Sequence, residues 1–351
     1  MSMRIAEVAS VATAVKREGS GSIEQLVWTL SQGLVDLGHS VTVFGVAGSE
    51  SPGDLVCTLP GPYGHPDVPE EWRVAEWVNI ARALERADDF DVVHSHGYLY
   101  GLPLAALARV PMVHTLHVMP TLESAALARL YPTAAITALS AYQWSEYPDV
   151  QPPVVIPNGI PTDAFRFSAE PDDYVAFLGR FTPGKGAVAA IETARRLGLP
   201  IRLAGWANDV FAAEVAPLVD GEAVRFVGPV YGRERDQFLG GAMALLYPIT
   251  AHEPFGMVMP EAMLCGTPVA AFGIGAVPEI VEEGVTGFTV PAGSDLAPAV
   301  RSALTLDRAL VARVAARRFS STAMVLAFET LFKEVIRRSG VDQGKATGRH
   351  P

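Results

Sequence analysis

The sequence holds only two cysteines, Cys57 and Cys265, among its 351 residues. Two thiols exclude a disulfide framework and a cysteine-rich zinc site. No run of about 18 apolar residues occurs, the length a membrane-crossing helix needs, so no membrane span is expected. The opening Met-Ser-Met-Arg-Ile-Ala-Glu puts Glu7 where a signal peptide needs an apolar core. No signal peptide is read, and a cytoplasmic protein is expected. Positive charge is also short: 27 Lys+Arg stand against 38 Asp+Glu, a net charge of −11. That balance argues against nucleic acid as a partner, since phosphate neutralisation needs basic surface. Lysine is rarest, limited to Lys16, Lys185, Lys333 and Lys345, so 23 of the 27 basic residues are arginine.

What is present suits a folded α/β protein. Hydrophobic residues make up 49% and charged residues 19%, enough for a sizeable core. At about 150 residues per domain the length suggests two domains. Short apolar runs alternate with longer amphipathic ones, the pattern of a parallel sheet with crossover helices. In the first half strands are expected at residues 4–10, 41–45, 91–94, 111–115, 134–139 and 154–157. Helices are expected at 22–37, with Leu26, Leu30, Leu34 and Leu37 at helical spacing and Gly38 as the stop, and at 70–88, with Trp72, Ala75 and Val78 on one side. Residues 47–69, rich in Gly and Pro, read as a long loop. A Pro-, Asp- and Gly-rich stretch at 157–173 marks the boundary. A second series follows, with strands at 174–179, 201–204, 224–227, 244–247, 268–272 and 287–290. Its helices are read at 186–197, 209–219, 231–241 and 257–264. The division expected is 1–168, joined by a returning helix at 321–338, then 169–320, with a polar tail at 339–351. Charge splits unevenly: residues 1–168 hold 9 Lys+Arg against 18 Asp+Glu, and residues 169–351 hold 18 against 20. The second half is the better candidate for holding an anion.

Three stretches point to chemistry. Gly19-Ser20-Gly21-Ser22-Ile23-Glu24 opens a helix, where free N–H groups and the dipole favour an anion. A dinucleotide fingerprint would need Gly at Glu24 and a start directly after the strand, so a nicotinamide site fits poorly, and a loop capped by Ser22 is the plainer alternative. The second stretch runs from Gly179-Arg180 to Lys185-Gly186, in the turn after the first strand of the second half. A guanidinium fork and a compact ammonium bracketing a turn suit a diphosphate, although the spacing is not that of an ATPase phosphate loop. The third is His252-Glu253-Pro254-Phe255-Gly256-Met257-Val258-Met259-Pro260-Glu261, running on to Cys265-Gly266. Glu261 lies among Met, Ala and Leu, and a buried carboxylate needs partners. Ribose hydroxyls would serve, and the N–H groups of Gly256, Met257 and Val258 would hold a phosphate or sugar oxygen. His94, His96, His114 and His117 raise the question of zinc. Pairs at strand ends more often line a cleft or serve structure, and no metal is assigned.

Taken together, these motifs resemble the retaining GT-B glycosyltransferases, the family of sucrose synthase and bacterial mannosyl- and glucosyltransferases. Gly21-Ser22-Ile23-Glu24 is similar to its Gly-Gly-x-Glu loop, with Ser22 where a second Gly is usual. Residues 37–43, Val92–His96, Thr115-Leu116-His117, Ile156–Ile160, the Arg180/Lys185 turn, Glu253-x7-Glu261 and Gly275–Glu279 follow in the family's order. The resemblance implies an α/β GT-B fold, two Rossmann-like doubly wound domains facing across a deep cleft. It implies that Arg180 and Lys185 hold the donor diphosphate and that Gly21 and Ser22 cover it. Glu261 would bind the ribose, Glu253 the donor sugar, and His117 a sugar hydroxyl. Phe255, Gly256, Met257 and Val258 belong to the same donor site. The expected activity is retaining transfer of a sugar from a nucleoside-diphosphate sugar, UDP first and GDP second, to the hydroxyl of a small-molecule or saccharide acceptor. Natural products are among the acceptors considered. No cofactor and no metal are expected; a sugar-nucleotide epimerase and a non-catalytic sugar-nucleotide-binding module are the alternatives. His94 and His96 have no assigned role.

Overall fold

The short apolar runs become parallel strands because the central strands of these sheets are covered on both faces, which favours apolar residues along them. In the first series β1 (Arg4–Val8), β2 (Ser40–Val46), β3 (Asp54–Leu59), β4 (Val92–Ser95), β5 (Met112–Thr115), β6 (Ala135–Ala138) and β7 (Val154–Val155) form one sheet. Its order is β3-β2-β1-β4-β5-β6-β7. In the computed structural model described here the second series gives β8 (Tyr174–Leu178), β9 (Ile201–Ala204), β10 (Val224–Gly228), β11 (Ala242–Tyr247), β12 (Val269–Phe272) and β13 (Gly287–Val290). That sheet is ordered β10-β9-β8-β11-β12-β13. All pairings are parallel. Each sheet therefore reverses direction beside its first strand, at β1/β4 and at β8/β11, the switch points where doubly wound folds bind ligands. The structure describes residues 2–17, 22–150 and 153–346, with side chains to residue 340. Gly21 lies outside the described residues.

The chain divides into two units, Met1–Ile160 with Ser321–Pro351, and Pro161–Ser320. The first break comes earlier than the residue 168 read from sequence. The stretch after Ile160 is tied into the second unit: Ser168 N–H donates to the Cys265 carbonyl at 3.0 Å, and Asp172 N–H to Gly241 at 2.8 Å. Arg308 adds a guanidinium bond to the Ser168 carbonyl at 2.9 Å. At the second break, Ser321 N–H donates to the Ile160 carbonyl at 2.9 Å, and the helix Ser321–Ala346 rejoins the first unit. This helix runs past the expected end at 338. Its Met324, Val325, Phe328, Leu331 and Phe332 share a core with Leu26, Leu30 and Leu34 of the helix Ser22–Asp36 and with Met3 and Ile5 of β1. The second unit buries Val175, Phe177, Ile191, Leu203 and Leu246 between its sheet and helices.

Several expectations are corrected. Residues 47–69 are not all loop, for β3 adds an edge strand there. Its burial is only partial, and the Pro52-Gly53 and Pro60-Gly61 pairs that bracket it hid it in the sequence. The helix Ser22–Asp36 stops one turn position early, leaving Leu37 exposed. The expected helix at 209–219 is a π-helical turn, Phe211–Val215, followed by a 3₁₀ turn, Ala216–Leu218. Pro217 has no N–H to continue a regular helix. The helix Trp72–Leu84 buries Ala75, Glu76, Asn79, Ile80 and Ala83, so its inner face is partly polar, with Trp72 and Val78 only half-buried.

Candidate functional site

In the second unit the site sits at the carboxyl ends of β8 and β11. After β8 the chain passes Gly179 and Arg180 into a single 3₁₀ turn, Pro183–Lys185, and then the helix Ala187–Leu197. Gly186 joins them at φ +77, and a Cβ there would lie 2.1 Å from the Pro248 carbonyl oxygen. Only glycine allows the turn to press so closely on the end of β11. Thr250 N–H donates to the Gly184 carbonyl at 2.8 Å, tying the two segments. Lys185 consequently reaches Glu253, its Nζ 2.5 Å from Oε1. The Tyr247 hydroxyl donates to the other oxygen of Glu253. Burial, followed by the Glu253 charge, raises the Tyr247 pKa well above its usual range, so Tyr247 stays a proton donor. Behind this carboxylate Gly275, at φ +66, brings its Cα against the Glu253 main chain, where a Cβ would lie 3.0 Å from both N and O.

The helix Val258–Leu264 follows, with Met257 before it. Glu261 lies on its partly covered face, and burial raises its pKa while Arg235 opposes the rise. Arg235 Nη1 is 3.4 Å from Glu261 Oε1. The expectation gave Glu261 only a ligand's hydroxyls as partners; a protein cation is present as well. Arg235 also lies 4.1 Å from the centre of the Phe165 ring, which holds its guanidinium in place. Arg235 was missed because Arg233-Glu234-Arg235-Asp236 reads as a solvated charge run. Phe255 is buried edge-on to Phe319, with centroids 5.9 Å apart, so its side chain is core and only its main chain faces the loop. Arg180 is exposed and forms no ion pair among the described residues. The structure thus brings Lys185 and Glu253 together, places Glu261 with Arg235, and leaves Arg180 as a free cation on the same turn as Lys185.

In the first unit Ser22 is exposed at the start of its helix. His117 follows β5. Its Nε2 lies 2.9 Å from His96 Nδ1, and the two rings stack at 16°. Burial pushes His94, His96, His114 and His117 down to about 3, so all four are neutral at ordinary pH. The partner the sequence reading passed over is Glu7. It lies on β1, in register with His94 on β4, and is wholly buried. Its Oε2 is 3.0 Å from His94 Nδ1 and 2.9 Å from His96 Nε2. Possible ligand atoms of Glu7, His94 and His96 fall within 4.8 Å of one another. Hydrogen bonds within the protein occupy all of these ring nitrogens. His114 points to the other face of the sheet, and both its nitrogens lack partners. A Glu inside an apolar strand is the signal that would have revealed Glu7. One Asp-x-Asp spacing occurs, Asp89-Phe90-Asp91, but it precedes β4, at the strand's opposite end. There Asp89 pairs with Arg86 and Asp91 with Arg4.

A second pair of acids shapes the loop after β1. Glu76 accepts from Val11 N–H at 3.1 Å and Glu24 from Thr13 N–H at 3.3 Å. Burial lifts the Glu76 pKa to about 7 and also raises that of Glu24. Tyr98, above Glu76, is the one described non-glycine residue with positive φ, at 51°.

Comparison with known proteins agrees across both units. Residues 23–164 match the family model described as Glycosyltransferase Family 4, and residues 172–305 match Glycosyl transferases group 1. The chain is 29% identical to a D-inositol 3-phosphate glycosyltransferase of Frankia alni, over 83% of this chain and 86% of the relative. It is similar to the crystal structure of AviGT4, a glycosyltransferase involved in avilamycin A biosynthesis, with 27% identity, a TM-score of 0.73, and 95% and 98% of the two chains covered. At 20% identity and a TM-score of 0.71 it shares the fold of Anabaena HepE, solved with UDP, over 95% of this chain and 100% of that one. No helix among the described residues is long and apolar enough to cross a membrane.

Proposed function

We propose, on the premise that this chain belongs to the family 4, group 1 glycosyltransferases of GT-B fold, that it moves a sugar from a UDP-sugar to an acceptor hydroxyl, with retention and without a divalent metal. One observation carries this reading: Lys185, Glu253 and Tyr247 converge at the switch point of the second unit, and the segment that brings Lys185 there also carries the exposed Arg180. Arg180 and Lys185 would neutralise the leaving diphosphate. Binding of that anion would draw Lys185 from Glu253 and release the carboxylate toward the donor sugar, where the Tyr247 hydroxyl keeps it oriented. Glu261, steadied by Arg235, would accept the ribose hydroxyls. His117 would meet a sugar hydroxyl from the first unit. GDP is the second choice of nucleotide. The named relatives make inositol 3-phosphate the first acceptor to try. The balance of 9 Lys+Arg against 18 Asp+Glu in residues 1–168 favours an uncharged hydroxyl acceptor, which suits a natural product or saccharide.

The test is turnover measured as released nucleoside diphosphate, after thermal-shift selection of the donor. Its release also separates transfer from an epimerase. With excess EDTA turnover stays nearly intact, while Lys185→Ala lowers it by about 10²–10³, the usual loss for one transition-state charge donor. Abolition by EDTA with rescue by Mg²⁺, and a silent Lys185→Ala, would overturn the metal-free diphosphate site.

A further inference from the structure

The buried polar stripe of the first unit forms one continuous hydrogen-bond chain. Glu7, His94, Thr115 and Thr137 share a sheet face, as the pairing across β1, β4, β5 and β6 requires, and His96, just past β4, joins them through Glu7. Phe328 and Phe332 of the last helix pack on this stripe, 4.7 and 5.3 Å from the His94 ring. No water or cation need be invoked to satisfy it. A carboxylate only accepts, and a neutral imidazole has one donor and one acceptor. Burial raises the Glu7 pKa and the hydrogen bond from His96 opposes that rise; with Glu7 as the carboxylate, His94 Nδ1 and His96 Nε2, both within 3.0 Å of its Oε2, spend their N–H on it. His94 Nε2 then accepts from the Thr115 hydroxyl at 2.7 Å. His96 Nδ1 is likewise bare, and the 2.9 Å contact requires His117 Nε2–H to donate into it. That leaves His117 Nδ1 as a lone pair on a half-buried ring, with no partner among the described residues.

We propose that Glu7 is a positioning residue which, through His96, fixes the tautomer and orientation of His117 so that His117 Nδ1 accepts a hydrogen bond from a substrate hydroxyl. This rests on the reading that His117 meets the substrate. Its logic is chemical: the carboxylate is the only member of the chain that cannot donate, so it sets the direction of every bond that follows. Were Glu7 an acid donating to His96, each bond would reverse and His117 would present Nδ1–H, which repels a hydroxyl proton.

The experiment reads tautomers directly. Full-length protein carrying ¹⁵N-histidine is studied by two-bond ¹H–¹⁵N correlation, with His117 assigned through His117→Asn. The expected wild-type signal is an Nε2–H tautomer with an unprotonated Nδ1; an Nδ1–H tautomer overturns the proposal without any variant having to fold. In Glu7→Gln the amide supplies N–H as well as C=O, so His117 shifts toward Nδ1–H. There kcat falls by about 10–100-fold, as for loss of a residue that orients a functional histidine, and nucleoside diphosphate affinity is held. An unchanged tautomer or an unchanged kcat in that variant refutes it. His96→Gln serves as a rescue, since its amide can donate to Glu7 and accept from His117. It should keep more activity than His96→Leu, and equal loss in both counts against the relay. If the wild type turns over no sugar nucleotide, the functional reading fails while the spectrum still judges the relay.

Discussion

Glu253 and Glu261 share a motif but not an environment, and under the proposed function that difference predicts distinct kinetic roles. Glu253 is gripped by Lys185 and Tyr247 at a loop, whereas Glu261 is held by Arg235 on a helix. A group that grips the nucleotide equally in ground and transition states affects KM, and one that acts on the reacting sugar affects kcat. Glu261→Ala should therefore mainly raise the donor KM, and Glu253→Ala should mainly lower kcat. Nucleoside diphosphate without its sugar should lose affinity in the first variant and little in the second. Equal losses measured by calorimetry would refute that division. As candidates, Glu253 and Lys185 stood out because each sits beside a Gly or Pro after a strand's carboxyl end, and Glu261 because it is a carboxylate among the apolar residues of a helix. Glu7 and Arg235 were not legible. Their meaning comes from β1/β4 pairing and from a helix docking on Glu261, contacts between residues distant in sequence that no local pattern encodes.

Helices in this protein approach each other closely where a side chain is missing. Gly33 lies in the last turn of the helix Ser22–Asp36, and glycine within a helix weakens it by up to about 1 kcal/mol relative to alanine. Its compensation is packing: a Cβ there would lie 2.4 Å from Val325 Cγ2 on the last helix. Gly33→Ala should thus destabilise by about 1–3 kcal/mol, the range for overpacking, and adding Val325→Ala should recover part of it. Denaturant melts of the single and double variants check this; a stabilised Gly33→Ala would mean the last helix shifts freely. The strands and long helices were legible because their apolar periods are strong. Strand β3 was not, being short, half-exposed and enclosed by turn residues. The face of the helix Trp72–Leu84 was misjudged because Glu76 and Asn79 are buried to serve the main chain. Asn79 Nδ2 donates to the Ala9 carbonyl at 2.7 Å, and sequence periodicity counts such residues as solvent-facing.

For the whole molecule, buried titratable groups give stability two opposing slopes. Glu76 binds its proton more firmly when folded, its pKa rising from 4.5 to about 7. Its contribution is full below pH 4.5 and is lost as pH climbs through about 7. The four histidines resist protonation, falling from 6.5 to about 3. Their contribution holds above pH 6.5 and is lost as pH drops toward 3. Glu76→Gln keeps an acceptor for Val11 but removes the first slope. Relative to wild type it should gain stability, by at most about 3 kcal/mol, between about pH 5 and about pH 8. Parallel unfolding curves across that range would show that Glu76 does not titrate. The returning helix has a further consequence, one of time. A ribosome emits the first sheet early, yet the residues that pack on His94 are Phe328 and Phe332. Residues 161–320 must all be made in between. At about 5–20 residues per second, the nascent first unit waits on the order of ten seconds or more with that stripe uncovered, while the second unit emerges complete. The part synthesised first is the part finished last, and a chaperone's interest in this chain would centre on that interval.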